Sequence, residues 1–161
     1  MNNFHPAAYY LPHESPMVFL ETVCAVDDDS AICEVSVNPD GILSPYLNGQ
    51  NALPAWFAIE IMAQAIGVWS GWHGIQNNQT PRLGMLLGSR AFKSTLNEYP
   101  NGSLLRVYAT MLLQDDKLAS FDCRLEINGE TVTQAKLNVY QPDNQEIAQL
   151  IQQPNVEDSI L

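Results

Sequence analysis

The sequence predicts an α+β protein in which an antiparallel sheet wraps around one long central helix. Residues 54–73 form a run that is apolar nearly all round, which is typical of a helix buried on several sides. Strand-like runs precede and follow this helix, and turn signals such as "DDDS" and "INGE" separate them. A single sheet around the helix gives each of these apolar faces a partner.

The chain before the helix is predicted to contain an arm, two strands and a long loop. Residues 1–12 are expected to form an irregular N-terminal arm. The run "LPHESPMVFLETVCAV" moves from a Pro-bounded turn into β-branched residues, and "AICEVSVNP" alternates, so we expect two paired strands. The following "DGILSPYLNGQNAL" is a loop of a length that is usually functional or disordered.

The central helix and four further strands are predicted for the rest of the chain. Pro54 suits the first turn of a helix, because its missing N–H costs nothing there, and Gly74 is expected to end the helix. The strands are expected in "RLGMLLGSRAFKS", "SLLRVYATMLLQDD", "LASFDCRLEIN" and "ETVTQAKLNVYQP". The pair Asn128-Gly129 favours a type I′ turn between the last two. We expect a single domain, 1–161, with a polar C-terminal tail at 143–161.

The charge of the chain restricts its partners. The formal net charge is −11, from 18 acidic and 7 basic residues, which disfavours binding to nucleic acid or to an anionic membrane. No basic residue precedes Arg82. An acidic partner would therefore have to meet the second half of the chain or another subunit.

The central apolar run is nearly long enough to cross a bilayer, but its polar residues favour a buried helix. These residues are Glu60, Gln64, Ser70 and His73. The N-terminus has neither the basic region nor the apolar run of a signal peptide, so we expect a cytoplasmic protein.

The three cysteines have no CxxC spacing, so we expect buried reduced thiols and no disulfide or metal site. They are Cys24, Cys33 and Cys123. No cofactor is expected.

Glu60 is the only charged residue between Leu53 and Gly74. An ionised carboxylate in an apolar setting is costly, so Glu60 either has a partner elsewhere in the fold or performs chemistry. Gln64 lies one helical turn later on the same face and could orient Glu60 by a hydrogen bond. Desolvation would raise the pKa of Glu60, as a general acid requires near neutral pH.

Several motifs resemble the hotdog-fold 3-hydroxyacyl-acyl-carrier-protein dehydratases of the FabZ and FabA type. "LPHESPMVFLETV" is similar to the family's "LPHRxPxLLVDRV", and "LPAWFAIEIMAQAIG" is similar to "xPGVLIxEAMAQxxG". "LGSRAFKSTLNEYPNGSLLRV" is similar to "GIDxARFKRPVxPGDxL". Together these stretches cover most of residues 11–110. The chain resembles still more closely the dehydratase-like, ApeP-like subunits of aryl-polyene biosynthesis clusters, in which "GVWSGWHG" and "RLGMLLG" recur.

The resemblance implies roles for particular residues. The family's catalytic carboxylate falls on Glu60, and its supporting Gln falls on Gln64. The family's Pro-Gly before the helix falls on Pro54-Ala55, where the backbone N–H groups of Ala55 and Trp56 would polarise a thioester carbonyl. The family's catalytic His, fourteen residues before the carboxylate, falls on Tyr46, so that base is absent.

The missing His implies a heterodimer, because the family's active sites lie between two protomers. A His-bearing hotdog paralogue would supply the base and this chain would supply Glu60, although a homodimer remains an alternative. The base would remove the C2 proton of a 3-hydroxyacyl thioester on an acyl carrier protein, and Glu60 would protonate the departing hydroxyl. The product would be a trans-2-enoyl thioester.

Two other functions remain open. The chain could be a non-catalytic hotdog protein that stabilises a dehydratase partner, which the absence of the His at Tyr46 favours. It could also be an acyl-thioester hydrolase, in which the helix carboxylate activates water.

Structural roles are expected for most of the other conspicuous residues. His13 is expected to cap a turn or to bridge to the sheet. His73 is expected to interact with the dipole at the helix end, with a displaced base as the alternative. The glycines at 67, 71 and 74 are expected to allow close approach of the sheet or of a second protomer. The three tryptophans are expected in core or interface packing, with an acyl tunnel as the alternative. They are Trp56, Trp69 and Trp72.

Overall fold

A computed structural model of the chain describes residues 3–78, 84–140 and 149. Its elements are β1 (Thr22–Val26), β2 (Ser30–Ser36), β3 (Leu53–Pro54), α1 (Ala58–Gln76), β4 (Met85–Ser94), β5 (Glu98–Tyr99), β6 (Leu104–Asp115), β7 (Leu118–Ile127) and β8 (Glu130–Tyr140). The predicted C-terminal tail, apart from Gln149, lies outside the described residues.

The predicted α+β architecture is confirmed. Six strands form an antiparallel sheet in the order β1-β2-β6-β7-β8-β4, and α1 packs against it. Alternate residues of β2, β6 and β7 are buried beneath the helix, as period-two strands with one covered face require. The predicted turn at Asn128-Gly129 has positive φ at both residues, as type I′ geometry requires.

The central helix differs from the prediction at both ends. A 3₁₀ turn over Ala55–Phe57 precedes α1, so the regular helix begins at Ala58. Gly74 does not end the helix, which continues to Gln76. The chain turns at Asn78, which has a φ of 60°, and the Asn78 N–H donates to the Ile75 carbonyl at 3.0 Å. An Asn therefore takes the left-handed position that Gly most often occupies after a helix.

The N-terminal arm packs against α1. It contains a 3₁₀ turn at Ala7–Tyr10, and both end residues of this turn are buried. A Cβ at Gly71 would overlap the carbonyl oxygen of Tyr10, and a Cβ at Gly67 would lie 2.8 Å from a methyl group of Leu11. Within the described part of the chain, these glycines therefore admit the protein's own arm, and the expectation that they approach the sheet or a second protomer is corrected.

One edge of the sheet, β4, is long and exposed. Leu87 and Phe92 on this strand are 57% and 41% exposed. A ten-residue edge strand that presents apolar side chains is a template for pairing with another chain.

The outer face of the sheet carries an interlocked group of charged and aromatic side chains. Arg106 donates to Glu34 at 2.9 Å and to the Tyr108 hydroxyl at 2.9 Å. The Arg124 guanidinium lies 3.8 Å from the centre of the Tyr108 ring. These contacts hold two of the seven basic residues on the outer face of the sheet.

Candidate active site

Glu60 is the third residue of α1 and lies half-buried in its first turn. Burial raises the pKa of its carboxyl group above the ordinary value, and no neighbouring charge contributes to this shift. The carboxylate forms no hydrogen bond or ion pair with any other residue that the structure describes. A carboxyl group that keeps its proton to a higher pH, with no structural partner, is suited to donate that proton.

A cavity of about 310 Å³ lies between α1 and the inner face of the sheet. Its helix wall includes Ala63, Gly67 and Ser70, which follow Glu60 at spacings of three, four and three residues and so share its side of the helix. At 1.5 Å per residue, this wall extends from about 4.5 to about 15 Å beyond Glu60 along the helix axis. Phe121 and Val139 form part of the sheet wall. The volume, and walls that combine apolar side chains with a few polar ones, are typical of a small-molecule site.

Gln64 does not hydrogen-bond to Glu60, which corrects the expectation from their spacing. Gln64 is 1% exposed, and its Oε1 accepts the Phe19 N–H at 2.8 Å. Its Nε2 donates to the Met17 carbonyl at 2.7 Å. Both ends of the amide are therefore used to hold the backbone that enters β1.

Tyr46 lies in a 3₁₀ turn, Ser44–Tyr46, within the long loop. Its hydroxyl donates to the Pro16 carbonyl at 2.9 Å, and its ring packs against Phe19 and Phe57 with centroid distances of 4.8 and 5.4 Å. The hydroxyl also lies 3.5 Å from the Met17 sulfur, and the shorter contact to the Pro16 carbonyl is its principal hydrogen bond. Tyr46, at the position of the family's catalytic His, therefore anchors the backbone at Pro16.

The backbone N–H groups of Ala55 and Trp56, which were predicted to polarise a thioester carbonyl, differ in whether they are already hydrogen-bonded. The Ala55 N–H donates to the Asn97 carbonyl at 2.9 Å, next to the two-residue pairing of β3 with β5, so the expectation for Ala55 is corrected. The Trp56 N–H lies in the first turn of the 3₁₀ segment, where no preceding helical carbonyl accepts it. The role of Trp56 stays a prediction.

The two histidines named from the sequence lie in different places. His13 borders the cavity. His73 lies thirteen residues after Glu60, about 20 Å along the helix axis. Its Nε2 is 2.8 Å from the Asp27 carbonyl oxygen and must carry the proton, since a carbonyl only accepts. His73 therefore fastens the helix end to the β1–β2 turn.

The three tryptophans also lie in different environments. Trp69 and Trp72 pack against the core, as expected, and Trp69 borders the cavity. Trp56 is 71% exposed, so it does not pack in the core, and its packing at an interface or along an acyl tunnel stays a prediction. Trp56 lies in the 3₁₀ turn before α1, four residues before Glu60.

Other ligand classes have no evident site in the described residues. All three cysteines are free thiols, and burial raises the pKa of Cys33 and Cys123 to about 12. No three His, Cys, Asp or Glu side chains among residues 3–78, 84–140 and 149 are grouped as metal ligands would be. In the same ranges, no helix combines the length and apolarity that a membrane crossing requires.

An antiparallel sheet wrapped around one long helix is the architecture of a hotdog protein, and the lone carboxylate in the first turn of that helix is compatible with a dehydratase. The chain belongs to the ApeP-like dehydratase family, whose family model, described as "ApeP dehydratase", matches residues 5–152.

Two relatives agree with this assignment. The solved structure titled "The Dehydratase Heterocomplex ApeI:P from Xenorhabdus doucetiae" contains a chain that is 47% identical, covering 94% of this chain and 100% of that one, with a TM-score of 0.88. A FabZ 3-hydroxyacyl-[acyl-carrier-protein] dehydratase of Acinetobacter baumannii is 24% identical over 135 residues, covering 81% of this chain and 89% of its own.

Hotdog proteins of other kinds share the fold alone. A hypothetical thioesterase of Streptococcus pneumoniae, solved with coenzyme A, is 14% identical with a TM-score of 0.56, covering 74% of this chain and 86% of its own. At this identity, the likeness carries no statement about the reaction.

Sequence reasoning missed the segment Pro16–Phe19, which meets both Tyr46 and Gln64. Its contacts lie 30 and 45 to 47 positions away along the chain. The only sequence signal was the buried polar residue Gln64, which needs partners for both ends of its amide.

Proposed function

We propose that this chain is the carboxylate-bearing subunit of a 3-hydroxyacyl thioester dehydratase, and that a second hotdog subunit supplies the catalytic His. The observation that carries the proposal is the half-buried Glu60 carboxyl, which has a raised pKa and no described partner. It lies on the side of α1 that lines a cavity from Ala63 onward. A carboxyl group in this state can act as a general acid that protonates an oxygen of the substrate.

The reaction removes water across C2 and C3 of the thioester. The partner His takes the C2 proton, the C2–H electron pair forms the C2=C3 double bond, and the C3–O bond breaks. Protonated Glu60 donates its proton to the departing hydroxyl, which leaves as water. The imidazolium then returns its proton to the Glu60 carboxylate through solvent, so both groups recover their starting forms. The Trp56 N–H polarises the thioester carbonyl and makes the C2 proton more acidic.

The need for a second subunit follows from Tyr46. An unperturbed phenol has a pKa near 10 and is a poor base at neutral pH. In this chain its proton is moreover donated to the Pro16 carbonyl. The solved heterocomplex that contains the 47% identical chain supports assembly with a different hotdog subunit. The exposed edge strand β4 is the surface on which we expect that subunit to pair.

The cavity between α1 and the sheet receives the acyl chain. Its helix wall begins about one turn after Glu60, so a chain that extends from C4 enters it while C3 stays at the carboxyl group. Trp69 and Phe121 give its walls aromatic surface. The thioester end, which would be delivered on an acyl carrier protein, then lies toward Trp56 and solvent.

The test is dehydration of a 3-hydroxyacyl thioester by the assembled complex. The chain is mixed with a hotdog paralogue that carries the His, and enoyl product is followed by mass spectrometry. Glu60→Gln should lower kcat about 10²- to 10⁴-fold, the usual contribution of a general acid. Glu130→Gln, at the exposed first residue of β8, is the matched control and should leave kcat unchanged.

Each other outcome selects a different function. Undiminished dehydration by the Glu60→Gln complex would mean that the chain is a non-catalytic stabilising subunit. Release of free acid without enoyl product would mean hydrolysis. Full activity of the chain alone would show that a homodimer suffices and that the base lies within this sequence.

A further inference from the structure

The segment Pro16–Phe19 is held by hydrogen bonds from two distant side chains, Tyr46 and Gln64. The Tyr46 hydroxyl donates to the Pro16 carbonyl at 2.9 Å. Gln64 donates to the Met17 carbonyl at 2.7 Å and accepts from the Phe19 N–H at 2.8 Å. Neighbouring backbone groups of one short segment are therefore fixed from two sides.

This segment lies along the part of α1 that carries Glu60. Phe19 packs edge-on against Phe57, three residues before Glu60, with ring centroids 6.2 Å apart. Gln64 binds the same segment four residues after Glu60. The segment is therefore attached on both sides of Glu60 along the chain: before it at the 3₁₀ turn that leads into α1, and after it at Gln64, which shares its helix face.

We propose that Tyr46 and Gln64 are positioning residues that together clamp segment 16–19 against the turn of α1 that carries Glu60, and that this clamp excludes water from one side of the carboxyl group. The importance of the clamp for catalysis rests on the dehydratase function proposed above. Tyr46, at the position where related dehydratases carry the catalytic His, then helps to position Glu60, the acid of the reaction.

Two features of the site agree with a steric role for the clamp. The Tyr46 ring completes a cluster with Phe19 and Phe57, so the residue that anchors Pro16 also contributes apolar surface beside the first turn of α1. The shift in the pKa of Glu60 comes from burial alone. Loosening the segment should therefore hydrate the carboxyl group without removing a charge from its surroundings.

The test compares Tyr46→Phe with Tyr108→Phe in the full-length chain. Tyr46→Phe keeps the ring and removes only the hydroxyl, whereas Tyr108→Phe removes a hydroxyl on the outer face of the sheet. Tyr46→Phe should speed hydrogen exchange of the Phe19 amide about two- to tenfold, the range that corresponds to one hydrogen bond. It should also lower the pKa of Glu60 in a ¹³C NMR titration of the carboxyl group. Tyr108→Phe should change neither quantity.

A second variant tests the other half of the clamp. Gln64→Glu keeps an acceptor for the Phe19 N–H but, when ionised, cannot donate to the Met17 carbonyl, so it should speed exchange of the segment in the same direction. If the two residues hold one segment, the effects of Tyr46→Phe and Gln64→Glu should be non-additive in the double variant. Additive effects would mean two independent anchors and would overturn the shared clamp.

In the assembled complex, Tyr46→Phe should move the loss of kcat at alkaline pH to lower pH, because the acid of the reaction ionises earlier. Unchanged exchange at Phe19 together with an unchanged Glu60 titration would overturn the proposal. So would a Tyr46→Phe chain that fails to fold, because the proposal confines the hydroxyl to segment 16–19. The exchange and titration measurements need no activity, so a complex without dehydratase activity would contradict the proposed function and leave the clamp to be decided by these measurements.

Discussion

The imidazole Nε2 of His73 donates to the backbone carbonyl of Asp27 at 2.8 Å, and this bond joins the last turn of α1 to the turn between β1 and β2. Trp69, one helical turn earlier, donates its indole N–H to the neighbouring Asp28 carbonyl at 3.2 Å. The helix end therefore has two anchors on one acidic turn, far from Glu60.

We expect His73→Phe to affect stability and not catalysis. The Phe ring keeps the aromatic packing against Trp69 and Trp72 but loses the hydrogen bond to Asp27. The free energy of unfolding in urea should fall by about 0.5–1.5 kcal/mol, and kcat of the assembled complex should remain. A hundredfold loss of kcat with the fold intact would instead identify His73 as a displaced base.

Glu60→Gln should change how stability depends on pH. Burial raises the pKa of Glu60 in the folded chain above the ordinary value of 4.5, so the folded state binds this proton more tightly than the unfolded state. The contribution of Glu60 to stability must then fall as pH rises from the ordinary to the raised pKa. The free energy of unfolding of the variant, minus that of the native chain, should increase over that interval and be constant above it.

Asp27→Asn provides a control of opposite sign. The N–H of Asp29, followed by the Ser30 hydroxyl, lowers the pKa of Asp27. Its stabilising contribution is present above the ordinary pKa and is lost as pH falls through the lowered one. Urea titrations of the three proteins between about pH 3 and pH 8 should therefore diverge in opposite directions. Parallel curves would contradict both assignments.

Charges on the β4 edge should weaken association with a second subunit. Leu87 and Phe92 are exposed in the single chain, so Leu87→Glu with Phe92→Glu should leave the fold intact while adding two carboxylates to the pairing surface. A loss of 2 kcal/mol or more, which is about thirtyfold in Kd, is expected by analytical ultracentrifugation. Leu104→Glu, 49% exposed on β6 and away from either sheet edge, is the control. Equal weakening by the control would place the interface elsewhere.

Narrowing the cavity should lower activity on long acyl chains more than on short ones. Ala119 lines the cavity from β7, and Ala119→Leu adds three carbon atoms on the wall opposite the helix. The ratio kcat/KM should fall for long-chain 3-hydroxyacyl thioesters, while short-chain thioesters that do not reach this wall serve as the internal control. A steric loss of 1–3 kcal/mol corresponds to about 10- to 200-fold. Equal loss for all chain lengths would exclude the cavity as the acyl site.

The sequence predicted those parts of the fold that depend on local pattern. The central helix, the strands of the main sheet and the Asn128-Gly129 turn follow from hydrophobic periodicity and turn chemistry. Glu60 was found because one charge in an apolar helix requires an explanation. The two-residue strands β3 and β5 were missed, because their pairing joins Leu53 to Tyr99 and no local pattern marks it.

The details of the site depended on distant contacts. Gln64 shares a helix face with Glu60, but burial of its amide made two backbone partners in the segment 17–19 more favourable than one side-chain partner. Ala55 was expected to offer a free N–H, but β5 passes close enough for Asn97 to accept it. Spacing gives the face on which a residue lies, and only the tertiary fold gives what meets it there.

The packing of the N-terminal arm against Gly71 also has a consequence for the kinetics of folding. Tyr10 and Gly71 are 61 positions apart, so docking the arm on the helix closes a long loop and costs chain entropy. The packing contacts that offset this cost form only after the helix has formed. We therefore expect the arm to be absent from the folding transition state, with φ-values near zero. A bulkier residue at position 71 would then leave the refolding rate unchanged and shorten the lifetime of the native state.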